Sequence, residues 1–202
     1  MSDNPAKKII VGITGATGSI LGVRLLELAR GAGIETHLVV SKWGVRTLMH
    51  ETSYGIEQVR QMASFSHQEG DAGAAISSGS FLTDGMVVIP CSMRTLGAVA
   101  SGHGDNLIHR AADVVLKERR KLVLVVREAP FNEIHLENML KLTRMGAVIT
   151  PPVPAFYNHP RTIADVVDHI ASRALDHLGI HLDRVSRWDG VMSSDGASLM
   201  QE

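Results

Sequence analysis

The sequence predicts an α/β fold, a mostly parallel sheet covered by helices on both faces, and three observations carry that prediction. Short apolar runs alternate with longer segments of helical spacing along the chain. The runs are continuous rather than alternating, as in Leu122-Val123-Leu124-Val125-Val126, the pattern of strands buried on both sides. A glycine-rich turn, Gly12-Ile13-Thr14-Gly15-Ala16-Thr17-Gly18, lies between the first run and the first helical segment. Strands joined by helices favour right-handed crossovers, so the expected architecture is a three-layer sandwich, Rossmann-like or flavodoxin-like.

In chain order, Ile9 to Thr14 reads as the first strand. Ser19 to Arg30 puts Ile20, Val23, Leu25, Leu26 and Leu28 at helical spacing, ended by Gly31 and Gly33. Thr36 to Val40 is the second strand, followed by a helix through about Glu51. Thr52 to Ser80 yields only a short helix at Ile56 to Met62 and a loop ending Ser77-Ser78-Gly79-Ser80. Met86 to Ile89 is the third strand, stopped by Pro90. A helix over Leu107 to Arg120 precedes the fourth strand, Leu122 to Val126. A helix over Asn132 to Met145 leads to a fifth strand at Ala147 to Thr150, and Ile163 to Leu178 is the last helix. Residues 1–190 read as one domain and 191–202 as a flexible tail.

Composition excludes several functions. A formal net charge of -1 over 202 residues gives no bulk attraction for nucleic acid or an anionic membrane. No segment approaches the roughly 18 apolar residues of a membrane span, and the polar N-terminus lacks the apolar stretch of a secretory signal, so a cytoplasmic protein is expected. One cysteine, Cys91, rules out an internal disulfide framework. Of the 10 histidines only His177 and His181 have four-residue helical spacing, without a third ligand, and there is no Asp-Asp pair. No metal is expected, and any phosphate falls to lysine and arginine.

In an open α/β sheet ligands bind beyond the carboxyl ends of the strands. That rim comprises Thr14 to Ser19, Ser41-Lys42, Pro90 to Thr95, Arg127-Glu128 and Pro151 to Tyr157. The glycine-rich turn lets backbone approach a ligand and leads into a helix N-terminus that suits an anion; it also reads as a plain tight turn. The second strand ends without the carboxylate an NAD site uses, while Lys42 leaves an atypical NADP site open. Ser92 to Thr95 offers hydroxyls and N–H groups to a phosphate with Arg94 as counter-charge, or Ser92 simply caps a helix. Cys91, with no basic partner, reads as a small buried residue. Arg110, Asp113 and Lys117 share a polar helix face, with an Asp113–Lys117 pair expected; the face is either solvated or set against a neighbouring subunit. Arg127-Glu128 ends a buried strand as a site pair or a structural one. The prolines from Pro151 to Pro154 stiffen a loop, one place for a cis peptide, and fix Phe156 and Tyr157.

These segments, with Arg110-Ala111-Ala112-Asp113, Leu116-Lys117-Glu118-Arg119-Arg120 and Val126-Arg127-Glu128-Ala129-Pro130, resemble the UbiX flavin prenyltransferases from Ile9 to Trp188. The resemblance implies bound FMN, a large homo-oligomer (a dodecamer) with sites at subunit interfaces, and no metal. It implies transfer of a dimethylallyl group from dimethylallyl monophosphate to N5 and C6 of reduced FMN. The product, prenylated FMN, would serve a UbiD-type decarboxylase. By position it assigns Gly15, Ala16, Thr17, Ser41, Ser92, Met93, Arg94, Thr95 and Arg127 to FMN. Lys117, Arg127, Glu128, Tyr157 and Arg173 fall to the substrate phosphate, and Glu51, Glu128, Lys117, Arg110 and Ser92 to catalysis. Thr17 stands where serine is usual, Leu21 where tyrosine is common, and Trp43 where a small residue is. Three rivals remain: a flavin-dependent decarboxylase, which would need a histidine that none of the rim segments supplies; a non-catalytic flavin carrier; and an NADP-dependent reductase.

Overall fold

The computed structural model describes residues 7–182 together with 187, 188 and 190. In chain order the elements are β1 (Lys8–Ile13), α1 (Ser19–Gly31), β2 (Glu35–Val40), α2 (Lys42–Glu51), α3 (Ile56–Met62) and β3 (Phe65–His67). A 3-10 turn follows at Ala75–Ser77, then β4 (Gly85–Cys91), α4 (Met93–Ser101), α5 (Leu107–Lys117), β5 (Lys121–Val126), α6 (Glu133–Arg144), β6 (Val148–Ile149) and α7 (Ile163–Asp176). The expected tail, 191–202, lies outside the described residues.

The six strands pair in the order β3-β2-β1-β4-β5-β6, and every pairing is parallel. This is the Rossmann order; without the three-residue β3 the remaining strands have the flavodoxin order. β3 escaped the sequence reading because Phe65-Ser66-His67 is too short to show a pattern, and shortness suits an edge strand. Side chains alternate across the sheet into two cores. Ile9, Val11, Ile13, Val87, Ile89, Val123 and Val125 pack beneath α1 and α7. Ile10, Met86, Val88, Leu122, Leu124 and Val126 pack beneath α4 and α5. This alternation fixes which helices share a face, and hence which side chains can meet.

Several boundaries differ from expectation. β4 does not stop at Pro90 but continues to Cys91, with its register against β5 shifted between Val88 and Cys91; a proline, lacking an N–H, is tolerated at such an irregularity. The cis peptides precede Pro90 and Pro130, not a proline of the Pro151–Pro154 loop. α5 ends at Lys117 rather than Arg120, because Arg119 adopts φ 59, outside the helical region. α7 ends at Asp176, two residues before the expected Leu178. Among the described residues no helix is long and apolar enough to cross a membrane.

Candidate active site

The strand order reverses between β1 and β4, so α1 leaves toward one face and α4 toward the other. Thr14 holds the two strand ends together there. Its hydroxyl donates to the Pro90 carbonyl at 2.8 Å and accepts from the Ser92 N–H at 2.8 Å. Beyond this junction opens a cleft of about 570 Å³, within the range of small-molecule sites.

Three helix N-termini reach the cleft. Ser41 caps α2 by accepting from Gly44 N at 3.0 Å, Ser92 caps α4 from Thr95 N at 3.4 Å, and Asn106 caps α5 from His109 N at 3.0 Å. All three caps line the cleft, with Lys42, Arg46, Arg94, Glu69 and Asp105 as its charged groups. Ordered N–H dipoles at one point create a setting for an anion. Gly15 allows the walls to close: a Cβ there would lie 2.4 Å from the Trp43 Cβ.

Of the nine residues assigned to FMN, Gly15, Ser41, Ser92, Arg94 and Thr95 line this cleft. Ala16 is buried, Thr17 helps to lower the pKa of Glu51, and Met93 packs on the α4–α5 core. The exposed Arg127 follows β5, its N–H donating to the Cys91 carbonyl at 3.0 Å. Arg94 is already paired with Asp105 at 3.0 Å. Burial makes Cys91 inert, pushing its thiol up to about 12.

The anion at the N-terminus of α1 is the chain's own. Glu51 Oε2 accepts from Gly18 N at 2.9 Å and Ser19 N at 3.0 Å. Partial burial opposes its ionisation, but the Thr17 hydroxyl and these two N–H groups outweigh it and hold the carboxyl below its ordinary value. The glycine-rich turn therefore offers a close backbone approach, not the vacant helix terminus that its sequence suggests.

The sequence reading missed the wall contributed by α5. Asn106 before Leu107 was a legible capping signal; Glu69, in a loop, gave none. Glu69 accepts from Lys42 N at 2.9 Å and its carbonyl from Leu107 N at 2.8 Å, tying α2 to α5. A histidine also lies here, contrary to expectation. Buried His109 lines the cleft with Nδ1 2.7 Å from Asp105 Oδ1, close but poorly aligned for a hydrogen bond. It lies in the first turn of α5, outside the rim segments named from the sequence. Burial holds it below its ordinary pKa against the pull of Asp105.

The residues assigned to the substrate phosphate do not gather within one chain. Lys117 ends α5 and pairs with Glu118, while Asp113 pairs with Arg110 at 2.9 Å, so the expected Asp113–Lys117 pair is absent: the i,i+3 partner is nearer. The Gly79 loop lies against the Lys117–Glu118 pair: a Cβ there would fall within 3 Å of both Glu118 Oε1 and Lys117 Nζ. Lys117 thus lies at the strands' amino ends, before β5, whereas Glu128 follows β5, whose six residues span roughly 20 Å. Glu128 accepts from the N–H of Ala129 and forms no pair with Arg127 among the described contacts. Arg110 Nε donates to the Ser77 carbonyl at 3.1 Å on the α5 side. Tyr157 and Arg173 lie on the α7 side: Tyr157 Oη is 3.1 Å from His169 Nε2, its ring is edge-on to Trp188 at 6.0 Å, and Arg173 pairs with Asp176 at 2.8 Å.

A family model described as Flavoprotein matches residues 1–175. A probable UbiX-like flavin prenyltransferase of Bacillus subtilis is 56% identical over 191 residues, covering 95% of this chain and 94% of the relative. A crystal structure of AnUbiX (PadA1) in complex with FMN and dimethylallyl pyrophosphate superimposes with a TM-score of 0.91 at 50% identity, covering 93% of this chain and all of that one. A dodecameric FMN-dependent UbiX-like decarboxylase from Escherichia coli O157:H7 gives 0.88 at 56% identity, covering 91% of this chain and 100% of the other.

Proposed function

The chain belongs to the UbiX-like flavin prenyltransferase family, and from that membership we propose that it transfers a dimethylallyl group from dimethylallyl monophosphate to reduced FMN. The observation that carries the reading is the cleft at the β1–β4 reversal, where the three capped helix N-termini meet Arg94 and Arg46. A dianionic phosphate fits that donor set, and the volume suits a flavin-sized ligand. Gly15, Ser41, Ser92, Arg94 and Thr95 would hold FMN directly, with Ala16, Thr17, Met93 and Arg127 around them.

When bound, reduced FMN supplies the electron-rich N5 and C6 to which the dimethylallyl carbons become bonded. The chain's own work is on the ester. Its allylic C–O bond breaks with the electron pair leaving on phosphate, so cations and hydroxyl donors aimed at that phosphate lower the barrier. Lys117, Arg173 and the Tyr157 hydroxyl are suited to this, and Arg110 adds positive charge near Lys117. Bonding at N5 and C6 would release a proton from each; one would be taken up by the dimethylallyl alkene carbon and the other by the departing phosphate, with Glu128 or Glu51 as carboxylates suited to relay them. Because Lys117 and Arg173 occupy opposite faces of the sheet, the complete phosphate site takes residues from neighbouring subunits of a homo-oligomer. Exposed apolar side chains near Tyr157, Val153 at 69%, Phe156 at 74% and Ile163 at 83%, support a subunit contact there. Prenylated FMN would then pass to a UbiD-type decarboxylase.

Anaerobic incubation with dithionite-reduced FMN and dimethylallyl monophosphate, followed by mass spectrometry of the extracted flavin, tests the reading. A gain of one C5 unit is expected, with the diphosphate ester as a parallel arm. Unmodified flavin from loaded protein in both arms overturns it.

A further inference from the structure

Tyr157 and His169 raise a question that the transferase reading leaves open. A phosphate oxygen only accepts hydrogen bonds, so Tyr157 helps a departing phosphate only if its single phenolic proton points toward that phosphate. Tyr157 Oη lies 3.1 Å from His169 Nε2. If the phenol donates to the imidazole, its hydroxyl turns lone pairs toward the anion and repels it. If Nε2 carries a hydrogen and donates to Oη, the phenolic proton is free for the phosphate.

We propose that His169 is a positioning residue for the substrate phosphate: its Nε2–H donates to Tyr157 Oη and so directs the phenolic proton outward. This rests on the transferase reading for the identity of the anion. The geometry favours a fixed role. His169 is 7% exposed on the buried side of α7, while Tyr157 above it is 47% exposed. The two rings meet edge to face, 5.8 Å apart at 83°. Arg173 follows His169 by one helical turn, so a single helix face presents the imidazole that orients the tyrosine and a guanidinium beside it. Burial first, and then the charge of Arg173, disfavour a charged imidazolium, with Asp176 opposing. A neutral ring with its hydrogen on Nε2 meets these constraints.

The test uses the FMN-loaded protein and a double-mutant cycle of His169→Phe and Tyr157→Phe. Inorganic phosphate affinity is read by calorimetry, alongside kcat and KM for dimethylallyl monophosphate. His169→Phe is expected to weaken phosphate binding about 10-fold, comparable to loss of a hydrogen bond to a charged group. It should do nothing further once Tyr157 is Phe, and His169→Gln, which keeps an N–H donor, should recover most of the loss. FMN affinity should be unchanged throughout. Equal effects of His169→Phe in both backgrounds overturn the proposal. If wild-type protein binds phosphate but forms no prenylated flavin, the transferase reading fails while the phosphate cycle still decides the role of His169. Should His169→Phe not fold, the Tyr54→Phe chain leaves Tyr157 as the sole tyrosine of two. Its ultraviolet resonance Raman doublet should report a phenol that accepts a hydrogen bond; a pure donor overturns the proposal.

Discussion

In the proposed transferase reading, the cleft at the β1–β4 reversal and the polar face of α7 answer the same demand, recognition of a phosphate, at different levels of organisation. The walls of the cleft are brought together within one chain, because topology alone brings the ends of β1, β2 and β4 and the starts of α2, α4 and α5 to one rim. The α7 face holds Tyr157 and Arg173 but not Lys117, which α5 carries on the other side of the sheet. A site divided between faces can act only after assembly. The largest expected effect follows from that division. Lys117→Ala and Arg173→Ala should each lower turnover by about 100-fold or more, as loss of a charge stabiliser does. Reassembling the two inactive chains together should restore activity at about a quarter of the sites, where both intact residues meet. Mixed oligomers as inactive as either parent would show that each site draws on one subunit.

Next in size is a break in the cleft itself. In Gly15→Ala the new Cβ meets the Trp43 Cβ at 2.4 Å, and neither atom sits at the end of a flexible chain. The start of α2 must move, carrying Ser41, Lys42 and Arg46 with it. FMN affinity, read by quenching of flavin fluorescence, should fall at least about 10-fold, with a stability loss of roughly 1–3 kcal/mol. Trp43→Gly should relieve the defect and Trp43→Ala should not, since alanine keeps the offending Cβ.

How legible each region was in the sequence follows the same division. Buried parallel strands announce themselves through continuous apolar runs, so five of the six strands and the rim they define could be read in order. The capping hydroxyl of Ser92 was legible because capping is a local rule, and the cap at Ser41, which the sequence reading passed over, obeys the same rule. Glu69 and His109 were not, because a loop carboxylate and a first-turn histidine gain meaning only when α2, α4 and α5 converge. Lys117, Tyr157 and Arg173 could be named by resemblance, yet no local pattern tells which face of the sheet a helix will cover. Glu51 shows the converse: its helical position said nothing of Gly18 and Ser19, 33 and 32 residues earlier, which it caps.

A smaller effect separates positioning from binding on α7. Asp176, its side chain 6% exposed, holds Arg173 at 2.8 Å, His181 at 2.9 Å and Arg187 at 2.7 Å. Burial alone would raise its pKa, but the hydrogen bonds from Arg187, His181 and Arg173 prevail and bring it from 3.8 to about 2. A depressed folded value means stability present above pH 3.8 and lost as pH falls through about 2. Asp176→Asn should cost on the order of 1–2 kcal/mol at neutral pH. Denaturant curves should show the gap closing toward pH 2. The phosphate affinity of the α7 face should fall with it and FMN affinity should not, because the cleft uses none of these residues.

The smallest effect concerns Glu51, where cap and candidate base are one side chain. Both backbone N–H groups bond the same oxygen, Oε2, so the carboxylate is anchored by one edge. Glu51→Gln retains an acceptor for α1 but loses the charge that faces the helix dipole, a cost of about 0.5–1 kcal/mol. The sign of its pH dependence follows from the lowered pKa: the charged cap contributes above 4.5, and its contribution is lost as pH falls through the depressed folded value. Melting temperatures of the two proteins should therefore differ at pH 7 and converge in acid. An unchanged gap would mean that the cap acts by shape rather than charge. Turnover of Glu51→Gln separates the two roles. A loss under about 10-fold, with FMN affinity intact, marks a cap that fixes the glycine-rich turn, since a general base contributes about 100-fold or more. A loss as large as that of Lys117→Ala would assign Glu51 to the proton transfer and leave Glu128 to orient the phosphate.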